Sequence, residues 1–420
     1  MGLVDKIASK ALGREVSPGE VIVVSLDAVY AHDGTTHLVV EALEKEFKWS
    51  GPLKASDRAY LFIDHAAPAP HVPAASVHKL MREFSRKYGL KLYEAGSGIC
   101  HQVVVEEGIV RPGMVVIASD SHTPTVGAVG AYATGVGSTD IAVALLYGET
   151  WLRVPETHVV NLLGRPGAGV MGKDIVLHVI GEVKSDGMLG KAVEYRGEAL
   201  RYLSMDSRMT LTNMATEMGA ESAIMPVDEV TRKWLSENGY AVHREVDWDK
   251  PGEYVDELVV EVDKLDPLVA APPDVDNVKS IIEVEGVEVD QVFIGSCTNG
   301  RLEDIEVAAR ILRGKRVKNG VRCIVTPASR RVYLEAVKRG YVEALLQAGC
   351  VVGPPTCGPC VGAHMGLLAE GEVAVSTSNR NFPGRMGHKN SSVYLASPAV
   401  AAASALEGKI VDPRKYLRGG

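Results

Sequence analysis

What this chain has little of narrows its function before any motif is read. Positive charge is short: 45 Lys and Arg against 53 Asp and Glu give a net charge of −8 over 420 residues, with no Lys/Arg-rich stretch. Nucleic acid and anionic membrane surfaces therefore have no electrostatic reason to bind it. No run approaches the length and apolarity of a transmembrane helix, and the opening Met1-Gly2-Leu3-Val4-Asp5-Lys6 lacks the apolar core of a signal peptide. A cytoplasmic protein is expected. Short repeats and low-complexity segments are missing too. Cysteine is limited to six residues, expected in a reducing compartment as thiols or metal ligands and not as disulfides. Of these, Cys100, Cys323 and Cys350 lie in or beside apolar segments and read as small buried hydrophobes.

Hydrophobic residues make up 46% and charged residues 23%, enough for a sizeable soluble core. A β-branched run, a polar loop and a helical pattern follow one another repeatedly, which is the rhythm of α/β layers. Three α/β domains are expected, 1–155, 156–275 and 276–420, with the acidic, proline-bearing Asp263–Asp276 as a linker. Strands are expected at Val21–Ser25, Ala59–Ile63, Met114–Ala118, Gln291–Gly295, Arg322–Thr326 and Val373–Thr377. Helices are expected at Ala74–Tyr88, stopped by Gly89, and at Met171–Ile180 and Val332–Gln347. Nearly every cluster of Asp, His, Cys or Arg follows directly on a strand. Open α/β sheets bind ligands beyond the carboxyl ends of their strands, so one polar centre fed by several strand ends is expected.

Three thiols stand in turn-forming loops: Cys297 in Gly295-Ser296-Cys297-Thr298-Asn299-Gly300, and Cys357 and Cys360 in Gly353-Pro354-Pro355-Thr356-Cys357-Gly358-Pro359-Cys360. Cys-x-x-Cys by itself serves zinc, thiol redox chemistry and iron–sulfur clusters alike. Structural zinc closes its shell with four protein ligands, and only His364 offers a fourth here. A thioredoxin-like site would leave Cys297 without a part. A cluster on three thiolates is favoured, because its open metal position can take a substrate oxygen. His65, His101 and His122 each follow a strand, with Asp64 or Asp120 beside two of them. An Asp–His hydrogen bond orients the ring and raises its basicity, which suits proton delivery to a leaving hydroxyl. Asp120-Ser121-His122 lacks the Gly-x-Ser-x-Gly turn of a serine hydrolase. Arg380 and Arg385, beside Asn379 and Asn381, suit either surface ion pairs or a fork onto carboxylates. Glu217 lies on the apolar, helical-looking segment 212–220, as a buried paired group or a functional one.

Together these segments resemble the aconitase superfamily over nearly the whole chain, within it the isopropylmalate branch in its archaeal or bacterial two-subunit form. The motifs carrying the likeness are Phe293–Arg301, Ser119-Asp120-Ser121-His122-Thr123, His32-Asp33-Gly34-Thr35, Val136–Asp140 and Asn379–Arg385. The resemblance implies three α/β domains of the iron–sulfur type around a central cluster cleft. It implies a [4Fe–4S] cluster on Cys297, Cys357 and Cys360, and an acid and hydrogen-bonding network of Asp64, His65, His101, Asp120, His122 and Glu217. His32, Ser121, Asn213, Asn379, Arg380 and Arg385 would bind substrate or support the cluster, His32 standing where aconitase proper has glutamine. The substrate would be a small 2-hydroxy di- or tricarboxylate: isopropylmalate, or else homoaconitate, citramalate or another methyl-substituted malate. A non-catalytic, cluster-bearing regulator is the other class. The chain stops soon after 393–406, so the serine base on a swivelling domain is expected on a separate small subunit.

Overall fold

The computed structural model describes residues 1–417. They form two compact units, the first comprising Met1–Ala95, Cys100–Leu162 and Met188–Val260, the second Gly96–Ile99, Leu163–Gly187 and the chain from Glu261 onward. No helix among the described residues is long and apolar enough to cross a membrane.

Strands in the first unit are Val21–Ser25 (β1), Ala28–His32 (β2), Ala59–Phe62 (β3), Lys91–Tyr93 (β4), Val115–Ala118 (β5), Tyr132–Gly135 (β6), Glu149–Arg153 (β7), Glu156–Leu163 (β8), Lys191–Arg196 (β9), Ser222–Ile224 (β10) and Asp256–Glu261 (β11). Its central sheet is parallel, in the order β4-β3-β2-β5-β6. Every residue of β2 and β5 is buried, as expected where helices cover both faces of a parallel sheet. Val29, Ala31, Leu61, Val115 and Ile117 pack in one core with Met81 and Phe84 of helix Val72–Tyr88. The chain runs outward from β2 through β3 and β4, then returns to β5 and β6 on the other side. That reversal falls between β2 and β5, the place where open α/β sheets bind ligands, and His32 and Asp120 stand at the carboxyl ends of these two strands.

The second unit continues with Leu268–Ala270 (β12), Val278–Ser280 (β13), Gln291–Ile294 (β14), Arg322–Val325 (β15), Val351–Val352 (β16), Val373–Ser376 (β17) and Ser392–Ala396 (β18). They form one sheet in the order β13-β12-β18-β17-β14-β15-β16. β14 to β18 are mutually parallel and wind as β2 to β6 do: first strand central, the next two on one side, the last two on the other. Here the reversal falls between β14 and β17, which lead into Cys297 and Asn379.

The division differs from the three stretches expected. Most of 156–275 packs into the first unit, since Ser222 Oγ donates to the Ala133 carbonyl at 2.9 Å and Thr212 Oγ1 to the Thr125 carbonyl at 2.8 Å. The approach is so close that a Cβ on Gly127 would overlap the Ala223 carbonyl. Helix Gly172–Val183 instead belongs to the second unit, where Asp174 accepts the Leu268 N–H at 2.9 Å. Asp263–Asp276 is no linker: it supplies β12, paired with β13 and β18. The helix expected over Val332–Gln347 breaks into Arg330–Lys338 and Tyr341–Ala348, because Gly340 takes φ +71°. Cys323 and Cys350 are buried as expected, but joined in a disulfide. The cause is strand pairing: β15 and β16 align Ile324 with Val351, bringing the preceding cysteines side by side with Cα atoms 4.6 Å apart.

Candidate active site

In the first unit one carboxylate gathers four histidines. Asp120 Oδ1 takes His101 Nε2 at 3.0 Å and the His122 backbone N–H at 2.7 Å, with His122 Nδ1 at 3.5 Å. Its Oδ2 faces His65 Nε2 at 3.2 Å and His32 Nε2 at 3.4 Å. Burial would raise the Asp120 pKa, but His101 first, then His122 and His65, reverse that and hold it well below the carboxylate range. Beyond the hub, His122 Nε2 meets Glu217 Oε1 at 2.6 Å, and His101 Nδ1 meets the Tyr30 hydroxyl at 2.9 Å.

The ring nitrogens sort the protons. His65 has Asp64 Oδ1 at 2.8 Å from Nδ1 and Asp120 at Nε2, and carboxylates only accept, so both of its nitrogens donate. His32 Nδ1 accepts the Gly34 N–H at 3.1 Å, leaving its proton on Nε2 toward Asp120. Burial, then the like charge of His65, lower the His32 pKa to about 4 against the pull of Asp120, Asp64 and Asp33. The two rings stack with centroids 3.8 Å apart. His65 is also the most open of the acid candidates, its side chain 15% exposed against 1% for His101 and 6% for His122.

Asp33, which directly follows β2, anchors the loop carrying His65. It accepts the backbone N–H groups of Asp64, His65 and Ala66 at 3.2, 2.9 and 2.8 Å, and His78 Nε2 at 3.2 Å. Ligand atoms of His32, Asp33, Asp64 and His65 lie within 4.8 Å of one another, as a cation would require. The hydrogen bonds already made by both Asp33 oxygens, with the Cys100 N–H on Asp64 Oδ2 at 2.7 Å, engage that donor set.

The second unit holds the thiols. Cys297, Cys357 and Cys360 are 7%, 4% and 3% exposed. The Asn379 amide spans two of them: Nδ2 donates to Cys297 Sγ at 3.4 Å and to Thr298 Oγ1 at 3.0 Å, and Oδ1 accepts from Cys360 at 3.7 Å. Arg385 Nη2 reaches Cys360 Sγ at 3.7 Å. Between the paired cysteines Gly358 takes φ +60°, and a Cβ there would press on Phe293 at 3.1 Å. His364, the other possible ligand, faces Thr356 Oγ1 at 3.4 Å from Nε2.

The family model "Aconitase family (aconitate hydratase)" matches residues 5–285 and 274–408. The chain belongs to the aconitase family. It is 49% identical over 99% of both chains to the Methanopyrus kandleri protein named 3-isopropylmalate dehydratase large subunit 1. It is 50% identical to the Pyrobaculum calidifontis 3-isopropylmalate dehydratase large subunit, over 97% of this chain and 98% of that one. A Methanothermobacter thermautotrophicus protein named as a methanogen homoaconitase large subunit is 44% identical over 100% and 99%. Among solved structures, Thermococcus kodakaraensis aconitase X matches with a TM-score of 0.51 at 15% identity, covering 85% and 84%, a likeness of fold.

Within this aconitase-family chain each unit gathers its own share of the expected residues. Asp64, His65, His101, Asp120, His122, Glu217 and His32 meet in the first unit. Cys297, Cys360, Asn379 and Arg385 meet in the second, with Cys357 and half-buried Arg380 on the same loops. Asn213 is fully buried in the first unit, where its amide donates to Thr125 Oγ1 at 2.8 Å. Ser121 borders a cavity of about 510 Å³ lined also by Thr134, Trp151, Arg153 and Thr216. Sequence reasoning passed over Asp33, His78 and Lys173. The available signal was positional for Asp33, a carboxylate following a strand as Asp64 and Asp120 do. For Lys173 it was an adjacent Lys-Asp pair opening an otherwise apolar helix.

Proposed function

We propose that this chain is the cluster-bearing large subunit of a cytoplasmic two-component hydro-lyase that interconverts 2-isopropylmalate and 3-isopropylmalate by loss and return of water. The observation that carries the reading is the convergence of His32, His65, His101 and His122 on the single carboxylate of Asp120. A dehydration next to a carboxylate needs a placed proton donor for the departing hydroxyl. His65 fills that role, holding protons on both nitrogens between Asp64 and Asp120 and presenting the most open ring. Asp120 stabilises the imidazolium, and Tyr30 and Glu217 hold His101 and His122 in fixed orientations.

The thiol centre fits a [4Fe–4S] cluster held by Cys297, Cys357 and Cys360. The fit rests on three buried sulfurs, two of which receive N–H groups from Asn379 and Arg385, and on the engagement of His364 elsewhere. When bound, such a cluster supplies a Lewis-acidic iron for the substrate hydroxyl and carboxylate. Arg380 and Arg385 serve the carboxylates, for which a guanidinium fork is the matching donor.

No residue of the two groups is a strong base suited to the carbon-bound proton. That base is assigned to a serine on a swivelling small subunit, in keeping with the "large subunit" names of the relatives. The test is anaerobic reconstitution of the chain with iron and sulfide, followed by hydration of isopropylmaleate with and without a small subunit. Turnover is expected only with the partner; turnover by the chain alone would overturn the two-component reading. The homoaconitase-named relative makes homoaconitate the second substrate to assay. Faster turnover of homoaconitate would reassign the specificity.

A further inference from the structure

The first turn of helix Gly172–Val183 carries a fully buried lysine. Lys173 Nζ donates to the carbonyls of Ser378 at 2.6 Å and Thr377 at 2.8 Å, and to Asn299 Oδ1 at 3.4 Å. All three acceptors are neutral. Asp174, next in sequence, directs its carboxylate to the N–H groups of Leu268 and Met171 at 2.9 and 2.8 Å, and burial raises its pKa to about 7. An ammonium buried without a carboxylate against it costs several kcal/mol. A fold that keeps one has another negative charge for it to face.

The bonds Lys173 makes point to that charge. Thr377 and Ser378 run directly into Asn379, whose amide spans the sulfurs of Cys297 and Cys360. Asn299 stands two residues after Cys297, and its Nδ2 donates to Asp304 Oδ1 at 3.0 Å. A second buried cation, Arg301, donates to the carbonyls of Cys297 and Thr298 at 2.6 Å each. Two buried cations, Lys173 and Arg301, and one carboxylate, Asp304, thus stand by the thiol loops, in addition to Arg385 against Cys360. Three thiolates outweigh the double positive charge of an oxidised [4Fe–4S] core by one, so the bound group carries a net negative charge for buried cations to face. Burial depresses the Lys173 pKa to about 7 against the pull of Asp304, Cys360, Asp174 and Cys297.

We propose that Lys173 is the counter-charge and positioning residue of the three-cysteine centre, tying the end of β17 to the Cys297–Asn299 turn and balancing the negative charge of a cluster held there. The inference rests on the cluster reading given above.

The experiment compares wild type, K173Q and K173R after anaerobic reconstitution. Glutamine keeps an N–H donor but no charge; arginine keeps both. Iron and sulfide content, the rate of iron loss in air and the reduction potential of the cluster are measured, with far-UV circular dichroism as the check on folding. K173Q is expected to lose iron roughly tenfold faster than wild type and to have a lower reduction potential, because removing a positive charge disfavours the added electron. K173R should keep a potential near that of wild type. Folded K173Q with wild-type potential and iron retention overturns the proposal and leaves the cluster reading intact. A wild-type chain that takes up no iron and sulfide overturns both. If K173Q does not fold, K173R decides: a wild-type potential supports the charge role, and a lowered one despite the retained charge overturns it.

Discussion

Replacing His32 with glutamine should remove a specific part of the protein's acid sensitivity. His32 is 6% exposed and stays neutral in the fold, its pKa lowered to about 4 by burial and by the neighbouring charge of His65. An unfolded histidine titrates near ~6.5. Between these two values the unfolded chain binds a proton that the native chain does not, so stability rises with pH across that window and falls on acidification. Going from pH 7 to pH 5, this one group is worth about 2 kcal/mol by linkage. The amide introduced by H32Q would still offer an N–H to Asp120 but has nothing to titrate. All four tryptophans, Trp49, Trp151, Trp234 and Trp248, lie in the first unit, so their fluorescence follows its unfolding. Urea denaturation of wild type and H32Q at pH 7 and pH 5 should show wild type losing about 2 kcal/mol more than the variant. At pH 7 the variant should be the less stable protein, because the stacking of His32 on His65 is lost. Parallel losses on acidification would refute the assignment of a neutral, proton-excluding His32.

Cys357→Ser should abolish iron and sulfide uptake while leaving the far-UV circular dichroism of the chain unchanged, since the sheets have their own apolar cores; iron retained at the wild-type level would remove Cys357 from the ligand set. Cys323→Ser, which looks silent from sequence, should destabilise the second unit by about 3.5 kcal/mol under non-reducing conditions, from the closure of a loop of 27 residues. Circular dichroism during urea denaturation measures it, and reductant should bring wild type down to the variant. Arg385→Lys should lower kcat/KM by roughly ten- to a hundredfold, because an ammonium cannot reproduce the fork that a guanidinium offers to sulfur and carboxylate; an unchanged value would assign Arg385 to structure.

The chemistry of this protein was legible in its sequence wherever chemistry follows directly on a strand. His32, Asp64, Asp120 and Cys297 all stand within three residues of a strand end, and apolar runs bounded by turn formers mark those ends. The glycine and proline flanking Cys357 and Cys360 likewise mark a loop able to bend two sulfurs together. Which side chains meet was decided only by the tertiary structure. Nothing in local spacing makes Asp120 the hub of four histidines contributed by four segments; that follows from β3, β2 and β5 lying side by side. The pairing of Cys323 with Cys350 comes from the neighbouring register of β15 and β16, 27 residues apart in the chain. The division into two units was equally out of reach, because helix 172–183 and the strands after it are drawn to different sheets by contacts such as Asp174 with Leu268 and Ser222 with Ala133. Periodicity and turn chemistry act over a few residues and are written locally. The burial of Lys173 against the Thr377 and Ser378 carbonyls depends on segments about two hundred residues away, and only the folded chain brings them together.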